Sequence, residues 1–341
     1  MITFNWSTLL RLVTFSFIRH AVASQLEYDY IIIGGGTCGL TVANRLSEIP
    51  NVSVAVIEAG ASVINNENVT NVNDFTVALG TPIDWQYEST NQNYAAGQKV
   101  EYHSGKALGG SSTINGVFRV LAAEFKRVAD DARIGMTYIR AEKAQIDSWE
   151  QLGNPGWNWG SLFPYYLKSE SFDVPTPAQL DAGASYVAAD HGENGLLKVG
   201  YPYGLLNGSL HDAVIDTWAN LGIPHNLDVN GGSLRGFTVW QSTLDREKNV
   251  REDAARAYYY PISDRPNLHV FLNTTANRIS WKDCEGVVAD GVEVTHQNGS
   301  VGILAAKKEV ILSAGSLRSP TILELSGIGN PGYDSGPFDR N

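Results

Sequence analysis

The feature that most constrains this fold is a strand, glycine turn, helix and strand pattern over residues 28–58. Residues 28–33 (YDYIII) are rich in apolar β-branched side chains, which predicts a short parallel strand buried on both faces. The strand passes directly into a glycine-rich turn, residues 34–39 (GGGTCG), and then into apolar residues at helical spacing. Residues 52–57 (VSVAVI) predict a second strand, which ends at Glu58. The pattern therefore predicts a βαβ unit of an α/β fold.

The turn has the spacing G-x-G-x-x-G at Gly34, Gly36 and Gly39. Gly34 permits the tight turn, Gly36 lets the backbone approach a pyrophosphate at the helix N-terminus, and Gly39 allows close packing of helix and strand. Glu58 is positioned to accept hydrogen bonds from ribose hydroxyls. A purely structural glycine turn is the alternative, but the complete order with its terminal acid favours a dinucleotide site. This unit alone does not distinguish NAD from FAD.

Composition excludes several other classes of protein. The 25 Lys and Arg residues against 36 Asp and Glu give a formal net charge of −11, which disfavours nucleic acid and anionic membranes as partners. The two cysteines, Cys38 and Cys284, are too few for a disulfide-rich scaffold or a four-cysteine zinc site, and no metal site is predicted. The sequence contains no run of about eighteen apolar residues, so no transmembrane helix is predicted.

Two further motifs identify a family. Residues 105–116 (GKALGGSSTING) form a glycine and serine loop that ends in Asn-Gly, and residues 315–329 (GSLRSPTILELSGIG) follow an apolar strand. In both motifs the sequence resembles the glucose-methanol-choline (GMC) flavin oxidoreductases, and the resemblance runs from about residue 28 to residue 329. Three stretches look like the glucose-oxidase or aryl-alcohol-oxidase branch: Asp84-Trp85, residues 143–150 (KAQIDSWE) and residues 156–159 (GWNW). The implied fold is α/β, with an FAD-binding Rossmann-like βαβ domain and a discontinuous, incomplete α+β substrate domain.

The resemblance implies FAD as the cofactor and assigns a set of contacts to it. Thr37 and Cys38 would meet the pyrophosphate through their backbone, Glu58 would hold the adenosine ribose, and Ala276 would meet the adenine. The loop of residues 105–116 would lie along the flavin and its phosphates. The complete predicted cofactor-binding set is Gly34, Gly36, Thr37, Cys38, Gly39, Glu58, Ser111, Asn115, Gly116, Thr137, Ala276, Ala314 and Gly315.

The reaction implied by the resemblance is oxidation of a small alcohol or sugar. A histidine takes the hydroxyl proton while hydride passes to flavin N5, and the electrons then go to O₂ or another acceptor. In the family that histidine comes from chain beyond the part matched here, so none of the seven histidines is assigned as the base. His103 is interpreted as a solvated loop residue, with a covalent flavin tether as the alternative. A nicotinamide dehydrogenase is disfavoured by the two motifs.

The sequence departs from the family in two places. Residues 117–135 interrupt the first motif, because the family runs directly from Gly116 into a stretch like residues 136–141 (MTYIRA). We favour an unspliced intron, and an inserted amphipathic helix is the alternative, since apolar residues recur in it at helical spacing. After residue 330 the sequence is a turn-rich tail, whereas family members continue. The expectation is therefore an incomplete and inactive chain, with a non-catalytic flavin-binding protein as the alternative.

The predicted organisation divides the chain into segments. They are a signal peptide (1–24), an FAD-binding unit (25–80), a cofactor lid (81–104), an FAD-binding segment with the insertion (105–170), part of the substrate domain (171–205), a return to the FAD domain (206–330) and a non-family tail (331–341). A leader of this kind predicts secretion. Glycosylation sequons, which a secreted chain can use, lie at Asn51, Asn68, Asn207, Asn273 and Asn298. Core packing is predicted for Trp149, Trp157 and Trp159, and one strand for residues 268–276. No oligomeric state is predicted.

Overall fold

The computed structural model describes residues 26–72, 75–115, 136–205, 208–282 and 287–329. The predicted signal peptide, the interrupting segment 117–135, Gly116 and the predicted tail lie outside the described residues. One sequon, Asn207, and Cys284 also lie outside them.

A six-stranded sheet organises the described residues, in the order β10-β11-β12-β1-β2-β9. Four of its strands, β12, β1, β2 and β9, are parallel, while β10, β11 and β12 form an antiparallel meander. The bounds are β1 Glu27–Ile33, β2 Val54–Ile57, β9 Leu268–Phe271, β10 Thr275–Trp281, β11 Ala289–Thr295 and β12 Val301–Leu312. The predicted βαβ unit is confirmed by β1, helix α1 (Thr37–Leu46) and β2.

Both faces of the parallel strands are buried, as their continuous apolar runs predict. Ile32 faces a core that includes α1 and helix α7 (Ala254–Tyr258). Ile31 and Ile33 face the opposite core, which is formed with the meander and helix α8 (Gly315–Leu325). Because successive side chains of a strand point to opposite faces, the run of three isoleucines serves both cores.

The strand predicted over residues 268–276 is wrong in its extent. The structure has two strands, β9 and β10, separated by a turn in which Asn273 has a φ of 48°. Asparagine tolerates this left-handed conformation better than most residues. The turn is fixed by Asn273 N–H donating to the Gly60 carbonyl at 3.0 Å and Thr274 N–H donating to the Glu58 carbonyl at 3.0 Å.

A second sheet of four short strands, in the order β5-β6-β7-β8, lies in the middle of the sequence. Its strands are β5 Glu170–Phe172, β6 Leu197–Gly200, β7 Ser242–Asp245 and β8 Val250–Arg251. This sheet joins residues from three of the predicted segments, and the division into those segments stays a prediction.

The remaining elements surround the two sheets. A two-stranded hairpin, β3 Tyr87–Glu88 and β4 Glu101–Tyr102, lies within the predicted lid. The other helices are α2 Glu67–Thr70, α3 Lys143–Gln151, α4 Trp159–Ser169, α5 Pro177–Asp181 and α6 Ser209–Asn220. Short 3₁₀ turns lie at Phe75–Ala78, Asn93–Ala95, Gly110–Thr113, Ala188–Asp190, Val229–Gly231 and Tyr260–Ile262. None of the helices in the described ranges is long and apolar enough to cross a membrane.

Core packing of the three tryptophans is confirmed for one of them only. Trp159, at the start of α4, is 7% exposed and packs against Phe163. Trp149 and Trp157 are half exposed and stack on each other at 5.8 Å between ring centroids. Trp149 lies in the last turn of α3 and Trp157 lies just before α4, so the two rings cover each other and not the core.

Candidate functional site

A cavity of about 300 Å³ opens at the carboxyl ends of β1, β2 and β12. This volume is at the lower end of the range of ligand sites, roughly 300–1,000 Å³. The carboxyl ends of parallel strands are where open α/β sheets bind ligands. The cavity is lined by Ile33, Gly34, Gly36, Thr37, Cys38, Ile57, Glu58, Ala59, Trp85, Ser104, Gly105, Gly110, Ser111, Thr274, Thr275, Ala276, Ser313, Ala314, Gly315, Arg318, Thr321, Ile322 and Leu325.

The cavity brings together nine of the predicted cofactor-binding positions. They are Gly34, Gly36, Thr37, Cys38, Glu58, Ser111, Ala276, Ala314 and Gly315. Gly39, Asn115 and Thr137 are described but do not line it, and Gly116 lies outside the described residues. Residues far apart in the sequence thus converge on one cavity, and the resemblance assigns all of them to one ligand.

The glycines of the turn are required by close backbone approaches. Gly34 has a φ of 103°, and a Cβ there would also overlap the Ser313 carbonyl oxygen at the end of β12. A Cβ on Gly39 would overlap the Gly34 carbonyl oxygen, which confirms the predicted close packing of helix and strand. Gly36 is the N-cap of α1 and faces Gly110, where a Cβ would lie 2.7 Å from the Gly36 Cα. The two glycine-rich loops therefore touch through their backbones.

Glu58 lies at the end of β2 with its carboxylate buried in the cavity wall. One carboxylate oxygen accepts the Gly35 N–H at 2.9 Å and the other accepts the Gly60 N–H at 2.8 Å. Burial raises the pKa of Glu58 to about 7, while the backbone N–H groups of Gly60, Gly35 and Ala59 and the charge of nearby Lys106 act in the opposite direction. Each oxygen keeps a lone pair for a further donor, as a ribose hydroxyl would require.

The loop of residues 105–115 is held by its own serine and by a buried arginine. The Ser111 hydroxyl accepts the Gly105 N–H at 3.1 Å and faces the cavity. The Asn115 carbonyl accepts a hydrogen bond from the Arg251 guanidinium at 2.9 Å, and the Asn115 side-chain oxygen accepts another. Arg251 is fully buried in β8, so it fixes Asn115 next to the second sheet.

Thr137 carries a buried hydroxyl that has no partner among the described residues. It lies in an isolated bridge opposite Ser242, the first residue of β7, whose hydroxyl is also buried and unpaired. Buried polar atoms are normally satisfied, so the pair fits a site that an additional polar group completes. Met136 is bonded to the same strand, because its carbonyl accepts the Thr243 N–H at 2.8 Å.

None of the histidines in the described ranges lines the cavity. The Nδ1 atom of His103 lies 2.6 Å from the buried carboxylate of Asp84, so His103 is within hydrogen-bonding distance of Asp84 and is not simply solvated. His211 lies in α6, and His225 stacks on Phe237. No described histidine is therefore positioned to act on a ligand in this cavity.

His191 belongs to a separate, buried cluster of charges. Its Nδ1 lies 3.1 Å from Glu170 and its Nε2 lies 2.7 Å from Asp228. Arg140 donates to the same Glu170 carboxylate at 2.9 Å. Burial opposes the charge on His191, but the hydrogen bonds to Asp228 and Glu170 outweigh it and raise the pKa of His191 to about 9. His191 is thus a cation near neutral pH and is committed to two carboxylates.

Several cavity residues were not predicted. The cavity wall includes Trp85 from the predicted lid, Thr274 from the turn before β10, Thr275 at the start of β10, and Arg318 from α8. Two cations contact the Trp85 ring, with Arg318 Cζ 4.4 Å and Lys106 Nζ 4.8 Å from its centroid. The Asp-Trp pair at 84–85 and the arginine inside the second motif were visible in the sequence, but no pattern indicated that they meet.

Comparison with known proteins gives a consistent result. The family model described as GMC oxidoreductase matches residues 135–333, beginning at the last residue of the predicted insertion. A glucose oxidase-like protein of Humicola fuscoatra is 50% identical over 305 residues, which is 88% of this chain and 49% of that protein. Glucose dehydrogenase [FAD, quinone] of Drosophila melanogaster is 36% identical over 309 residues, which is 89% of this chain and 44% of that protein.

The fold is also found among solved structures. An FAD-dependent oxidoreductase from Chaetomium thermophilum matches with a TM-score of 0.77 and 34% identity, over 89% of this chain and 48% of that one. The chain thus spans about half the length of the relatives that it matches.

Proposed function

The chain belongs to the GMC oxidoreductase family, whose cofactor is FAD, and on that premise we propose that it forms the FAD-holding part of an enzyme that oxidises a CH–OH group of a small alcohol or sugar. The observation that carries this proposal is the cavity at the ends of β1, β2 and β12, where nine predicted cofactor-binding positions meet. FAD as the cofactor agrees with the prediction from the sequence.

The cavity residues fit the parts of FAD. The Glu58 carboxylate is buried, borders the cavity and can accept ribose hydroxyls. The N-terminus of α1, at Thr37, has no side-chain cap and no acid in its first turn, so its N–H groups are available to the diphosphate. The backbone of Ala276, at the cavity wall, can meet the adenine edge.

We propose that the flavin extends from this cavity towards Ser111, Asn115 and Thr137, where the unpaired hydroxyls of Thr137 and Ser242 lie. When bound, FAD supplies the acceptor for the hydride of the substrate carbon. The residues of this chain bind and orient the cofactor, and the buried Arg251 keeps Asn115 in place.

The chain by itself is proposed to bind FAD without turning over alcohols. Hydride removal from an alcohol needs a base within hydrogen-bond reach of the hydroxyl, and no histidine of the described residues lines the cavity. A flavin-binding protein without catalysis is the second candidate function, and the same observation favours it. The small-molecule substrate, the electron acceptor (O₂ or another) and secretion through residues 1–24 are likewise proposals.

The test is FAD titration of the purified chain and of its Glu58→Ala variant, followed by flavin fluorescence. Loss of the ribose acceptor is expected to weaken FAD binding by roughly tenfold or more. Glu48→Ala is the matched control, because Glu48 is exposed and ion-paired with Arg45 away from the cavity. Glu58→Gln keeps the size of the side chain and separates a loss of binding from a loss of folding. Unchanged FAD affinity in both Glu58 variants would overturn the assignment.

A further inference from the structure

Arg318 is the one strongly basic side chain on the wall of the cavity, among the residues that the structure describes. It lies in α8 and is half-buried. Its guanidinium stacks on Trp85, 4.4 Å from the ring centroid, and lies 5.6 Å from the centroid of Tyr87. Its Nε donates to the Tyr87 hydroxyl at 3.0 Å. In the described part of the chain this is the only hydrogen bond found for the guanidinium, which leaves both terminal NH₂ groups available.

The lid supplies the platform that fixes this guanidinium. Trp85 and Tyr87 are themselves stacked, with ring centroids 5.8 Å apart and an interplanar angle of 11°. Lys106 approaches the Trp85 ring at 4.8 Å. A guanidinium held by stacking and by one hydrogen bond loses little further entropy when its remaining donors bind an anion.

Arg318 carries its positive charge at the end of its helix where a positive charge is unfavourable. It is in the first turn of α8, where the helix dipole is positive and acids are favoured, yet no acid lies in that turn. The N-terminus of α1 lies beside it, because Ile33 at the end of β1 pairs with Leu312 at the end of β12. Two positive helix ends and a cation therefore meet at one edge of the cavity. An unfavourable grouping of positive charges of this kind is typical of a functional site, where a bound anion compensates for it.

We propose that Arg318 binds the diphosphate of FAD, with Trp85 and Tyr87 holding its guanidinium in place. The inference rests on the proposed function, since it assigns a further residue to the same cofactor site. Arg318 provides a fork of donors that matches phosphate oxygens, while the N-terminus of α1 provides backbone N–H groups. Arg318 thereby connects Trp85 and Tyr87 of the lid to the cofactor.

The inference is tested by calorimetric titration of the full chain with FAD, ADP and adenosine. ADP carries a diphosphate and adenosine does not, so their affinity ratio isolates the diphosphate contact. Arg318→Met is expected to weaken FAD and ADP by roughly ten- to a hundredfold and to leave adenosine within about twofold. The FAD and ADP affinities of Arg318→Lys should lie between those of the wild type and those of Arg318→Met, because lysine keeps the charge but loses the planar fork.

Arg278→Met is the matched control, since Arg278 is an exposed arginine that pairs with Glu293 on the meander. It should change none of the three affinities. Equal weakening of ADP and adenosine by Arg318→Met would assign Arg318 to the structure of the lid alone, and no weakening of either would equally overturn the inference. If Arg318→Met does not fold, Arg318→Lys and Tyr87→Phe decide, and wild-type ADP affinity in both refutes the contact. A wild-type chain that binds no FAD would instead refute the proposed function itself.

Discussion

The buried charge cluster around His191 makes the stability of this protein depend on pH in a way that one substitution isolates. His191 is 8% exposed and contacts Glu170 and Asp228 through its two ring nitrogens. Replacing it in His191→Gln removes the cation and leaves two buried carboxylates with fewer partners. Breaking a buried ion pair in this way costs about 3–5 kcal/mol of unfolding free energy.

The pH dependence follows from the raised pKa. The unfolded histidine loses its proton near 6.5, whereas folded His191 keeps it until about pH 9. The contribution of His191 to the free energy of unfolding is therefore fully present below pH 6.5 and is lost as the pH rises through about 9. A rise from 6.5 to about 9 corresponds to roughly 3–4 kcal/mol, and solvent screening reduces this to about 2–3 kcal/mol.

The assay is urea unfolding followed by tryptophan fluorescence, for the wild type and His191→Gln, at a series of pH values. The difference in unfolding free energy is expected to be largest near pH 6 and to shrink by about 2–3 kcal/mol towards pH 9.5. His225→Gln, at an exposed position, is the control and should follow the wild type. A difference that is the same at every pH would refute a cationic His191 in this cluster.

Three further outcomes are expected. Gly39→Ala should destabilise the protein by roughly 1–3 kcal/mol, because the added Cβ would overlap the Gly34 carbonyl oxygen. Gly204→Ala is the control and should not destabilise it, because the space around Gly204 is open. Thermal unfolding measures the stability of both variants. Deletion of residues 117–135 should raise soluble yield and flavin occupancy, since its flanks are bonded to the adjacent strands β7 and β8, and a drop in either would support an integral segment. The 341-residue chain loaded with FAD should show no measurable turnover of glucose, aryl alcohols or short alcohols with O₂ or a dye; robust turnover would reveal a base among its histidines.

The βαβ unit could be predicted from the sequence because its signals are local. The run of isoleucines, the glycine spacing and the terminal Glu58 all lie within about thirty residues, the usual length of such a unit. Within that unit, Gly39 is required by its contact with the Gly34 carbonyl, and Gly34 by its φ of 103°. The same local reasoning failed at residues 268–276, where an asparagine in a left-handed turn divides an apolar run into two strands.

The contacts that complete the cavity could not be predicted, because they join distant parts of the chain. Arg318 was visible within the second motif, but its stacking on Trp85 depends on where residues 81–104 lie relative to α8. Gly110 was visible within the first motif, but its contact with Gly36 depends on the approach of two loops. The sequence shows which residue types are present, but it does not show the distances between them in the fold.

The cluster of Arg140, Glu170, His191 and Asp228 was missed for a related reason. Charged residues are mostly exposed, so isolated ones in a sequence are interpreted as surface residues. Only the fold brings these four together and buries them. The prediction for Trp149 and Trp157 was wrong in the opposite direction. These large rings were assigned to the core, but both lie half exposed.

The central claim, that this chain is built to hold FAD, is tested most directly by identifying the cofactor of the purified full-length protein. The protein is denatured, and the released small molecules are identified by chromatography and absorbance. We expect a flavin spectrum before denaturation, and FAD without NAD after it. Tight NADH binding with no flavin, before or after addition of FAD, would contradict the claim.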